Sequence, residues 1–265
     1  MPLVNRQFED YYTALYGKRW GGLRESLLLR SAPLPYGLKL IKPYLLDRAS
    51  VLAAQALRLP AQGSVPEAPI LDACAAPGGK SLVIASRMAP EASLLSNELS
   101  GERRRRLAAV LDAHLPQAIR EQVNVSGFDA AAAGGKIREH GRFAAILLDA
   151  PCSSERHVIT SEKALGEWKT ARPHFLARRQ WALLSAAFLL LCPGGSLVYA
   201  TCALTPEEND GVASRLLEKY KDAVSSDPPD FDEGEETRFG RIILPDFCGG
   251  MGPMYVARFK KRGPS

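Results

Sequence analysis

Short apolar runs alternate with amphipathic segments from residue 69 onward, and this alternation is the feature that most restricts the possible fold. Each run has the length of a buried strand, and the segment after it repeats apolar residues at helical spacing. The runs are "PILDACA", "ASLLSNE", "VNVSGFDA", "FAAILLDAPC" and "GGSLVYATC". Strands that alternate with helices predict a parallel, doubly wound sheet, so the chain is expected to be α/β.

The end of the chain departs from this alternation. Only a glycine-rich turn separates "RIILPDF" from "MYVARFKKR", which predicts an antiparallel hairpin at the edge of the sheet. A seven-stranded, mostly parallel sheet with an antiparallel C-terminal hairpin is the plan of the Rossmann-like methyltransferases. Nucleotide kinases and dehydrogenases share most of this plan without the hairpin, and a fold alone does not settle function.

The first 60 residues are expected to form a small helical N-terminal extension to a main domain at residues 61–265. Two helices are predicted from "FEDYYTALYG" and "LRESLLLR", and a third from "ASVLAAQALRL". The stretch "SAPLPYGLKLIKP" contains three prolines and is expected to be a linker. Near the other end of the chain, the acidic segment "SSDPPDFDEGEET" is expected to be a mobile loop.

Composition narrows the class of protein. Of the 265 residues, 46% are apolar and 24% charged, as in ordinary globular proteins. No apolar stretch is long enough to span a bilayer, and the N-terminus carries acids and lacks the apolar core of a signal peptide, so a cytoplasmic protein is expected. The five cysteines are odd in number and lack metal spacing, so neither a disulfide framework nor a metal site is expected.

The net charge is mildly positive and does not identify a binding partner. The net charge of +5 and the pI near 9.0 suit a nucleic acid, and they equally suit a basic solvated surface. Basic residues interleaved with Tyr and Trp near the N-terminus could grip phosphates and stack a base, and a packed helical extension is the alternative of equal weight. These basic residues are Lys18, Arg19, Arg24 and Arg30.

The segment "LDACAAPGGKS" joins a predicted strand to a predicted helix. Gly78 and Gly79 would let the backbone approach a ligand closely, and the helix N-terminus would offer free N–H groups. The pattern is neither GxGxxG nor GxxxxGK[ST], so neither NAD nor ATP is specifically indicated. A tight turn without a ligand is the alternative.

Acidic residues end the next two predicted strands. Glu98 could accept both ribose hydroxyls of an adenosine-containing cofactor, or it could be a solvent-facing acid. Asp129 suits a hydrogen bond to an adenine amino group and suits a helix N-cap equally well. Arg103 precedes Leu107 by one helical turn, leans toward the buried side near Glu98, and is expected to support the same pocket.

Two cysteines end the fourth and fifth predicted strands. Cys152 follows Asp149 closely, and Cys202 follows "SLVYAT", so both are expected at the carboxyl edge of the sheet, where ligands bind. Two thiols beside an acid are more than core packing requires, although buried cysteines are often simple small hydrophobes. The residues alone do not decide which of the two thiols reacts. Cys192 and Cys248 are expected to be packing residues.

Three motifs in order resemble a known family. "DACAAPGGKS", "DAPCSS" and "ATCALTPEEN" are similar to the signatures of the Sun (Fmu/Nop2-type) RNA cytosine-5 methyltransferases, over a stretch from about Tyr44 to the C-terminus. "DAPCSSERH", "GPMY" and "YLLDRAS" resemble most the mitochondrial ribosomal-RNA branch and its short bacterial relatives. Leu46 is a departure, because many members of the family carry glutamine there.

The resemblance implies a role for each matching position. It implies that Cys202 is the nucleophile, that Cys152 helps release the product, and that Asp149 lies near both cofactor and target base. Lys80 would stabilise charge on the base or hold the cofactor carboxylate. S-adenosylmethionine would contact Cys74, Ala75, Ala76, Pro77, Gly78, Gly79, Lys80, Glu98, Arg103, Asp129 and Asp149. Glu98 stands where the family usually has aspartate.

Carbon 5 of cytosine is too weak a nucleophile to take a methyl group unaided. A thiolate that adds to carbon 6 makes the ring an enamine, and carbon 5 can then attack the sulfonium methyl. Asp149 could hydrogen-bond ring nitrogen 3, a base must later remove the carbon 5 proton, and Cys152 is a candidate for helping there. The target base must leave its stack to reach this edge.

The predicted substrate is therefore RNA, with ribosomal RNA as the expected class. The enzyme is expected to be a monomer, and a partner protein is a conceivable source of RNA affinity. The alternatives are a non-catalytic RNA-binding ribosome-assembly factor on the same fold, or a tRNA or DNA cytosine-5 methyltransferase. Arg156 and His157 could face the RNA or close their loop, and the sequence does not choose between these roles.

Overall fold

A computed structural model describes residues 5–29, 32–60, 68–132 and 143–263. The helices are α1 (Arg6–Tyr16), α2 (Trp20–Leu28), α3 (Arg48–Gln55), α4 (Gly79–Arg87), α5 (Gly101–His114), α6 (Gln117–Arg120), α7 (Glu155–Thr160), α8 (Glu162–Gly166), α9 (Ala171–Leu190) and α10 (Asp210–Lys219). The strands are β1 (Leu34–Tyr36), β2 (Tyr44–Leu46), β3 (Ile70–Asp72), β4 (Leu94–Asn97), β5 (Val123–Ser126), β6 (Phe143–Asp149), β7 (Leu191–Thr201), β8 (Val224–Ser226), β9 (Glu235–Glu236), β10 (Gly240–Ile243) and β11 (Met254–Lys261).

The main sheet has the predicted plan with two short additions. Strands β5, β4, β3, β6 and β7 are parallel in that spatial order, and β11 then pairs antiparallel with β7. Strand β10 forms the predicted hairpin with β11. The additions, β8 and β9, pair with β11 and β10 respectively. The Rossmann-like methyltransferase fold, with a mostly parallel sheet and an antiparallel end, is confirmed.

Alternate residues of β6 and β7 enter two separate apolar layers, as the period of a buried strand requires. Ile146 and Leu148 pack with α9 and α10 on one face of the sheet. Ala145 and Leu147 pack with α3, α4 and α5 on the other face. Because both faces are covered by helices, the chemistry is left to the ends of the strands.

Two regions differ from the sequence prediction. The stretch expected to be a linker contains β1, which pairs antiparallel with β2 just after that stretch, and its Tyr36 hydroxyl lies 2.7 Å from Ser86 Oγ of α4. The pair has only two strands, so Pro35 is tolerated although it lacks an N–H. The acidic segment is tied down rather than free, because the buried Arg258 guanidinium forms ion pairs with Asp227 and Asp230 at 2.9 and 2.8 Å.

The N-terminus is helical as predicted, and it shares apolar cores with the rest of the chain. Phe8, Tyr12 and Trp20 lie in one buried cluster with side chains of α7, α8 and the segment after β7. Helix α3 contributes Ala49 and Ala53 to the core beneath the sheet. No helix in the described part of the chain is long and apolar enough to cross a membrane.

Candidate active site

The carboxyl ends of β3 to β7 meet at one edge of the sheet, where three neighbouring cavities lie. A first cavity of ≈ 340 Å³ lies at the ends of β3, β4 and β5, and a second of ≈ 220 Å³ lies beside the loop at residues 73–79. A third, of ≈ 440 Å³, opens over Cys202. The first and second share Cys74, and the second and third share Asp47 and Ser50, so the three form a continuous path.

The first cavity contains the predicted acids in well-defined orientations. Glu98 is 5% exposed, accepts a hydrogen bond from the Ser100 N–H at 2.9 Å, and lies 3.3 Å from the Arg103 guanidinium. The predicted proximity of Arg103 to Glu98 is therefore present. Asp129 lines the same cavity, and its Oδ1 accepts a hydrogen bond from the Ala131 N–H at 3.0 Å. The cavity position and a backbone bond of the capping type, which were alternatives in the sequence, are thus both present.

Asn97 organises this cavity and was missed in the sequence analysis. Its amide Nδ2 donates to the carbonyls of Ala73 and Phe128, each at 3.1 Å. Its Oδ1 accepts from the Phe128 N–H at 3.0 Å and from the Ser126 hydroxyl at 3.1 Å. One buried side chain thus joins the ends of three strands. Its place directly before Glu98 at a strand end was the available signal.

The glycines after β3 are explained by the protein's own packing. Gly78 has φ +117°, a left-handed conformation that favours glycine, and a Cβ there would lie 3.1 to 3.3 Å from Val110 and Leu107. A Cβ on Gly79 would clash with the Leu46 side chain. Packing against Leu46 of β2 is thus a further reason for glycine at position 79, which also lines the second cavity.

Asp72 lies at the wall of the second cavity and was also missed in the sequence analysis. The side chain is buried, its Oδ2 accepts from Ser81 Oγ at 2.7 Å, and its Oδ1 has no partner among the described residues. Burial raises the pKa of Asp72 to about 7. An unpaired buried carboxylate oxygen at the wall of a cavity suits a cationic group of a ligand.

Lys80 and Asp149 form an ion pair between the second cavity and the thiols. Lys80 Nζ donates to Asp149 Oδ2 at 2.7 Å and lies 3.4 Å from Ser50 Oγ. Burial alone would lower the pKa of Lys80, but the neighbouring Asp149 carboxylate outweighs it and raises that pKa. The lysine is therefore held as a cation beside the carboxyl end of β6.

The structure brings Cys152 and Cys202 into contact as reduced thiols. Their sulfur atoms lie 2.8 Å apart, and Ser154 Oγ lies 3.2 Å from the Cys202 sulfur. Hydrogen bonds from Cys152 and Ser154 lower the pKa of Cys202 below that of an ordinary thiol. The bond to Cys202 and burial raise the pKa of Cys152 well above its usual value. The opposite directions of these two pKa shifts make Cys202 the readier thiolate of the pair.

Glu208 ties the two cysteine loops together. It accepts hydrogen bonds from the Ser153 N–H at 3.0 Å and from the Ser153 hydroxyl, and a further bond comes from Gln180 Nε2 at 2.8 Å. Helix α10 begins only at Asp210, so Glu208 lies in the turn before the helix. Glu208 turns back to the loop after β6, at a distance that local sequence cannot reveal.

The third cavity holds the Cys202 side chain and the two residues to which the sequence assigned no role. Arg156 and His157, from the first turn of α7, both line it. The Arg156 guanidinium donates to the Gly250 carbonyl at 3.2 Å. Among the residues that the structure describes, it forms no ion pair with a carboxylate. Burial lowers the pKa of Arg156, yet the group stays cationic because an arginine starts so high.

The N-terminal basic residues are placed differently from the predicted phosphate grip. Arg19 bonds to Glu235 at 2.6 and 2.8 Å and to Asp246 at 2.6 and 3.0 Å, and Arg24 bonds to Glu9 at 2.7 Å. Trp20 is buried, so it is not free to stack a base. Lys18 is exposed, and Arg30 lies outside the described residues. The packed-extension alternative therefore describes Arg19, Trp20 and Arg24 better.

The cavities, the strand order and the antiparallel end define a methyltransferase of the Rossmann-like class. Residues 61–260 match the family of 16S rRNA methyltransferases described as RsmB/F, and the chain belongs to this family. S-adenosylmethionine is the cofactor of this family. Among the described residues, no group of three or more metal-ligating side chains could hold a metal ion.

Similar proteins agree with this placement. Over 181 residues the chain is 40% identical to ribosomal RNA small subunit methyltransferase F of Escherichia coli and to that of Shigella boydii. The aligned stretch covers 68% of this chain and 36% of each relative. The chain thus spans about a third of the length of these relatives.

Two solved structures from Pyrococcus horikoshii share the fold. NSun6 with SFG has a TM-score of 0.70 at 23% identity, covering 84% of this chain and 54% of that one. A methyltransferase homolog protein has a TM-score of 0.73 at 22% identity, covering 97% and 95%.

Proposed function

We propose that this protein is an S-adenosylmethionine-dependent RNA cytosine-5 methyltransferase that acts on ribosomal RNA. The observation that carries the proposal is the contact between the Cys152 and Cys202 sulfur atoms, 2.8 Å apart, with Cys202 lining the third cavity beside the two proposed cofactor cavities. The curated relatives are named as ribosomal RNA small subunit methyltransferases, which supports the class of substrate.

The residues around the first two cavities fit the cofactor. In the first cavity, the Glu98 carboxylate would accept the ribose hydroxyls, with Asp129 toward the adenine. In the second, the unpaired Asp72 Oδ1 suits the ammonium of the amino-acid end, next to residues 74–80. When bound, the cofactor would supply an electrophilic methyl group to the target base.

Cys202 is proposed as the nucleophile toward carbon 6 of the target cytosine. Its lowered pKa supplies the thiolate, which Cys152 and Ser154 stabilise by hydrogen bonds before attack. As the thiolate adds, negative charge spreads over the ring. The Lys80 ammonium, held beside Asp149, would stabilise that charge on the nitrogen 3 side.

Product release needs a proton to leave carbon 5 and Cys202 to be expelled from carbon 6. Cys152 is proposed to assist this step, because its sulfur lies 2.8 Å from that of Cys202 and loses its hydrogen-bond acceptor once Cys202 is bonded to carbon. To accept the carbon 5 proton, Cys152 must itself be a thiolate, and the hydrogen bond that raises its pKa is gone once Cys202 is bonded to carbon. The Cys152 thiolate would then take the carbon 5 proton while the bond between carbon 6 and the Cys202 sulfur breaks and Cys202 leaves as a thiolate. This division of roles matches the one that the family resemblance implies.

Arg156 is proposed to contact the RNA. It carries positive charge in the third cavity and forms no ion pair among the described residues, although the Asp47 carboxylate lines the same cavity, so a phosphate of the target nucleotide suits its unused N–H groups. We further propose that the protein acts as a monomer in the cytoplasm and that a partner protein adds RNA affinity. Residues 1–60 are proposed to form an extension, and residues 61–265 the methyltransferase domain.

Transfer of tritium from methyl-labelled S-adenosylmethionine to RNA tests the function. We expect label in unmodified 16S rRNA, found as 5-methylcytosine after digestion, and none in DNA of the same sequence. The matched control is Cys202→Ala, which should bind cofactor and transfer nothing. A wild-type protein that binds cofactor and labels no RNA would favour a non-catalytic assembly factor, and label in DNA would favour a DNA methyltransferase.

A further inference from the structure

Leu204, two residues after Cys202, is held through both of its backbone polar groups. Its N–H donates to Glu155 Oε2 at 3.2 Å, and its carbonyl accepts from the Tyr16 hydroxyl at 2.7 Å. Glu155 Oε1 in turn accepts from the Tyr12 hydroxyl at 2.5 Å. Tyr12 and Tyr16 both belong to α1, so one N-terminal helix reaches the loop of the reactive thiol by two routes.

We propose that α1 positions the Cys202 thiol for reaction, through a clamp formed by Tyr12, Tyr16, Glu155 and the backbone of Leu204. The clamp residues touch neither cofactor nor base, so they are positioning residues rather than catalytic ones. The proposal rests on the proposed function for its effect on methyl transfer. It assigns to the N-terminal helix a role in the reaction that does not require RNA contact.

Burial makes the clamp rigid. Glu155 and Tyr12 are both 0% exposed, and the Tyr12 ring stacks on Trp20 with centroids 5.0 Å apart. A buried carboxyl that loses its donor is left unsatisfied, so the bonds of Glu155 persist as long as α1 stays docked. A reactive group must be held within about 0.5 Å of its productive position. The contact between the Cys202 and Cys152 sulfur atoms needs positioning of this precision.

Glu155 also joins the clamp to the second cysteine loop. It begins α7 three residues after Cys152, while its Oε2 holds the loop that follows Cys202. The same carboxyl therefore links the two loops, as Glu208 does through its bonds to Ser153. Removal of the Glu155 side chain would free Leu204 and leave the Tyr12 hydroxyl without an acceptor.

Protonation of Glu155 gives the clamp a measurable signature. Burial, followed by the nearby Glu208, raises the pKa of Glu155 from 4.5 to about 8. The folded protein therefore favours the neutral form of Glu155. The stability that this preference contributes is fully present below the ordinary pKa of 4.5 and is lost as the pH rises through about 8. The ionisable groups that interact with this carboxyl are Tyr11, Tyr12 and Tyr16 of α1, Cys152 after β6, and Glu208 and Cys202 from the segment after β7.

The test compares variants of the full chain by four measurements. These are kcat and KM for methyl transfer, cofactor Kd, thermal midpoint, and the rate at which iodoacetamide alkylates Cys202, followed by peptide mass spectrometry. Glu155→Ala and the double variant Tyr12→Phe/Tyr16→Phe break the clamp. Glu155→Gln keeps its shape without its charge. Tyr11→Phe is the matched control, because Tyr11 packs on Tyr12 and Trp168 and its hydroxyl makes no hydrogen bond in the described part of the chain.

We expect the two clamp-breaking variants to lower kcat about 10- to 100-fold while cofactor Kd and KM change less than about twofold. The alkylation rate of Cys202 should shift at least about threefold in the same variants. Glu155→Gln should restore most of kcat and flatten the pH dependence of the thermal midpoint between about pH 4.5 and 8, the window between the ordinary and the raised pKa of Glu155. Tyr11→Phe should match the wild type.

A folded double variant with wild-type kcat and wild-type Cys202 alkylation overturns the clamp. So does a loss of kcat that is accompanied by an equal loss of cofactor affinity, because that indicates general damage. If the wild type transfers no methyl group to RNA, the proposed function fails while the alkylation comparison still decides the clamp. Unchanged alkylation across all the variants then rejects the clamp on its own.

Discussion

The cofactor path and the thiol pair lie at the same edge of the sheet but are built in opposite ways. In the first cavity, Glu98 and Asp129 receive hydrogen bonds from backbone groups two residues away. Around the thiols, Ser153 bonds to a residue 55 positions away, and Tyr12 bonds to one 143 positions away. The two acids of the first cavity are thus held by local bonds, whereas the reactive pair depends on distant segments being packed correctly.

This difference has a physical reason. A cofactor pocket needs carboxylates and amides that are left open to a ligand, and a short loop after a strand can supply them. A thiol that must attack at one position needs loops that cannot shift, and buried hydrogen bonds between loops supply that rigidity. Damage to one region should therefore leave the other largely intact.

Cys202→Ala should have the largest effect. We expect methyl transfer to fall by at least about 10³-fold, because the path through the covalent intermediate is lost, while cofactor Kd stays within about twofold. Radiolabel transfer and calorimetric titration measure the two quantities. Cys192→Ala, at the far end of β7, is the matched control and should keep its activity. Near-normal turnover by Cys202→Ala would exclude this residue as the nucleophile.

Cys152→Ala should come next, with a different signature. A single methyl transfer should still occur, and a covalent RNA–protein complex should accumulate because release is slowed. Loss of the hydrogen bond from Cys152 should also raise the pKa of Cys202, so the pH–rate profile should move to higher pH. Denaturing gels detect the complex, and initial rates across pH detect the shift. Multiple turnovers at the normal rate without a complex would contradict the release role.

Glu98→Ala should affect the cofactor region alone. We expect cofactor Kd to rise about 10- to 100-fold, since charge-assisted hydrogen bonds to the ribose would be lost. Glu98→Asp, the residue usual in the family, should keep most of the affinity. The alkylation rate of Cys202 without cofactor should match the wild type. An altered alkylation rate in Glu98→Ala would show that the two regions are not independent.

Charge reversal at Arg19 and Arg24 should have the smallest effect on function. Each guanidinium already bonds to carboxylates of this chain, so Arg19→Glu and Arg24→Glu should lower the free energy of unfolding by about 1 kcal/mol per pair. RNA affinity should fall no more than that of an exposed Lys18→Glu control. Reduced RNA binding at an unchanged thermal midpoint would instead support the phosphate grip.

Much of the cofactor region was predictable from the sequence. Strand ends in a doubly wound sheet share one edge, so the positions of Glu98, Asp129, Asp149 and both cysteines follow from strand order alone. Asn97 and Asp72 were missed although they lie on the same strand ends. Their importance comes from which neighbours they bond, and the register between strands is not written in a local pattern.

The thiol region was predictable in outline only. Sequence placed Cys152 and Cys202 together, but it could not show that Glu155 and Glu208 hold their loops, because each partner is distant along the chain. The short strands β8 and β9 were missed because they are polar and only two or three residues long. Packing against β11 and β10, rather than propensity, makes them strands.

Attachment of the target base to Cys202 is tested most directly by mapping a trapped adduct. RNA that carries 5-fluorocytidine at the methylated position lacks the carbon 5 proton whose removal permits release, so the covalent complex should persist after methyl transfer. Protease and nuclease digestion followed by mass spectrometry identifies the modified cysteine. We expect the nucleotide on Cys202, with Cys152 free. A nucleotide on Cys152, or turnover on this RNA without any adduct, would contradict the assignment.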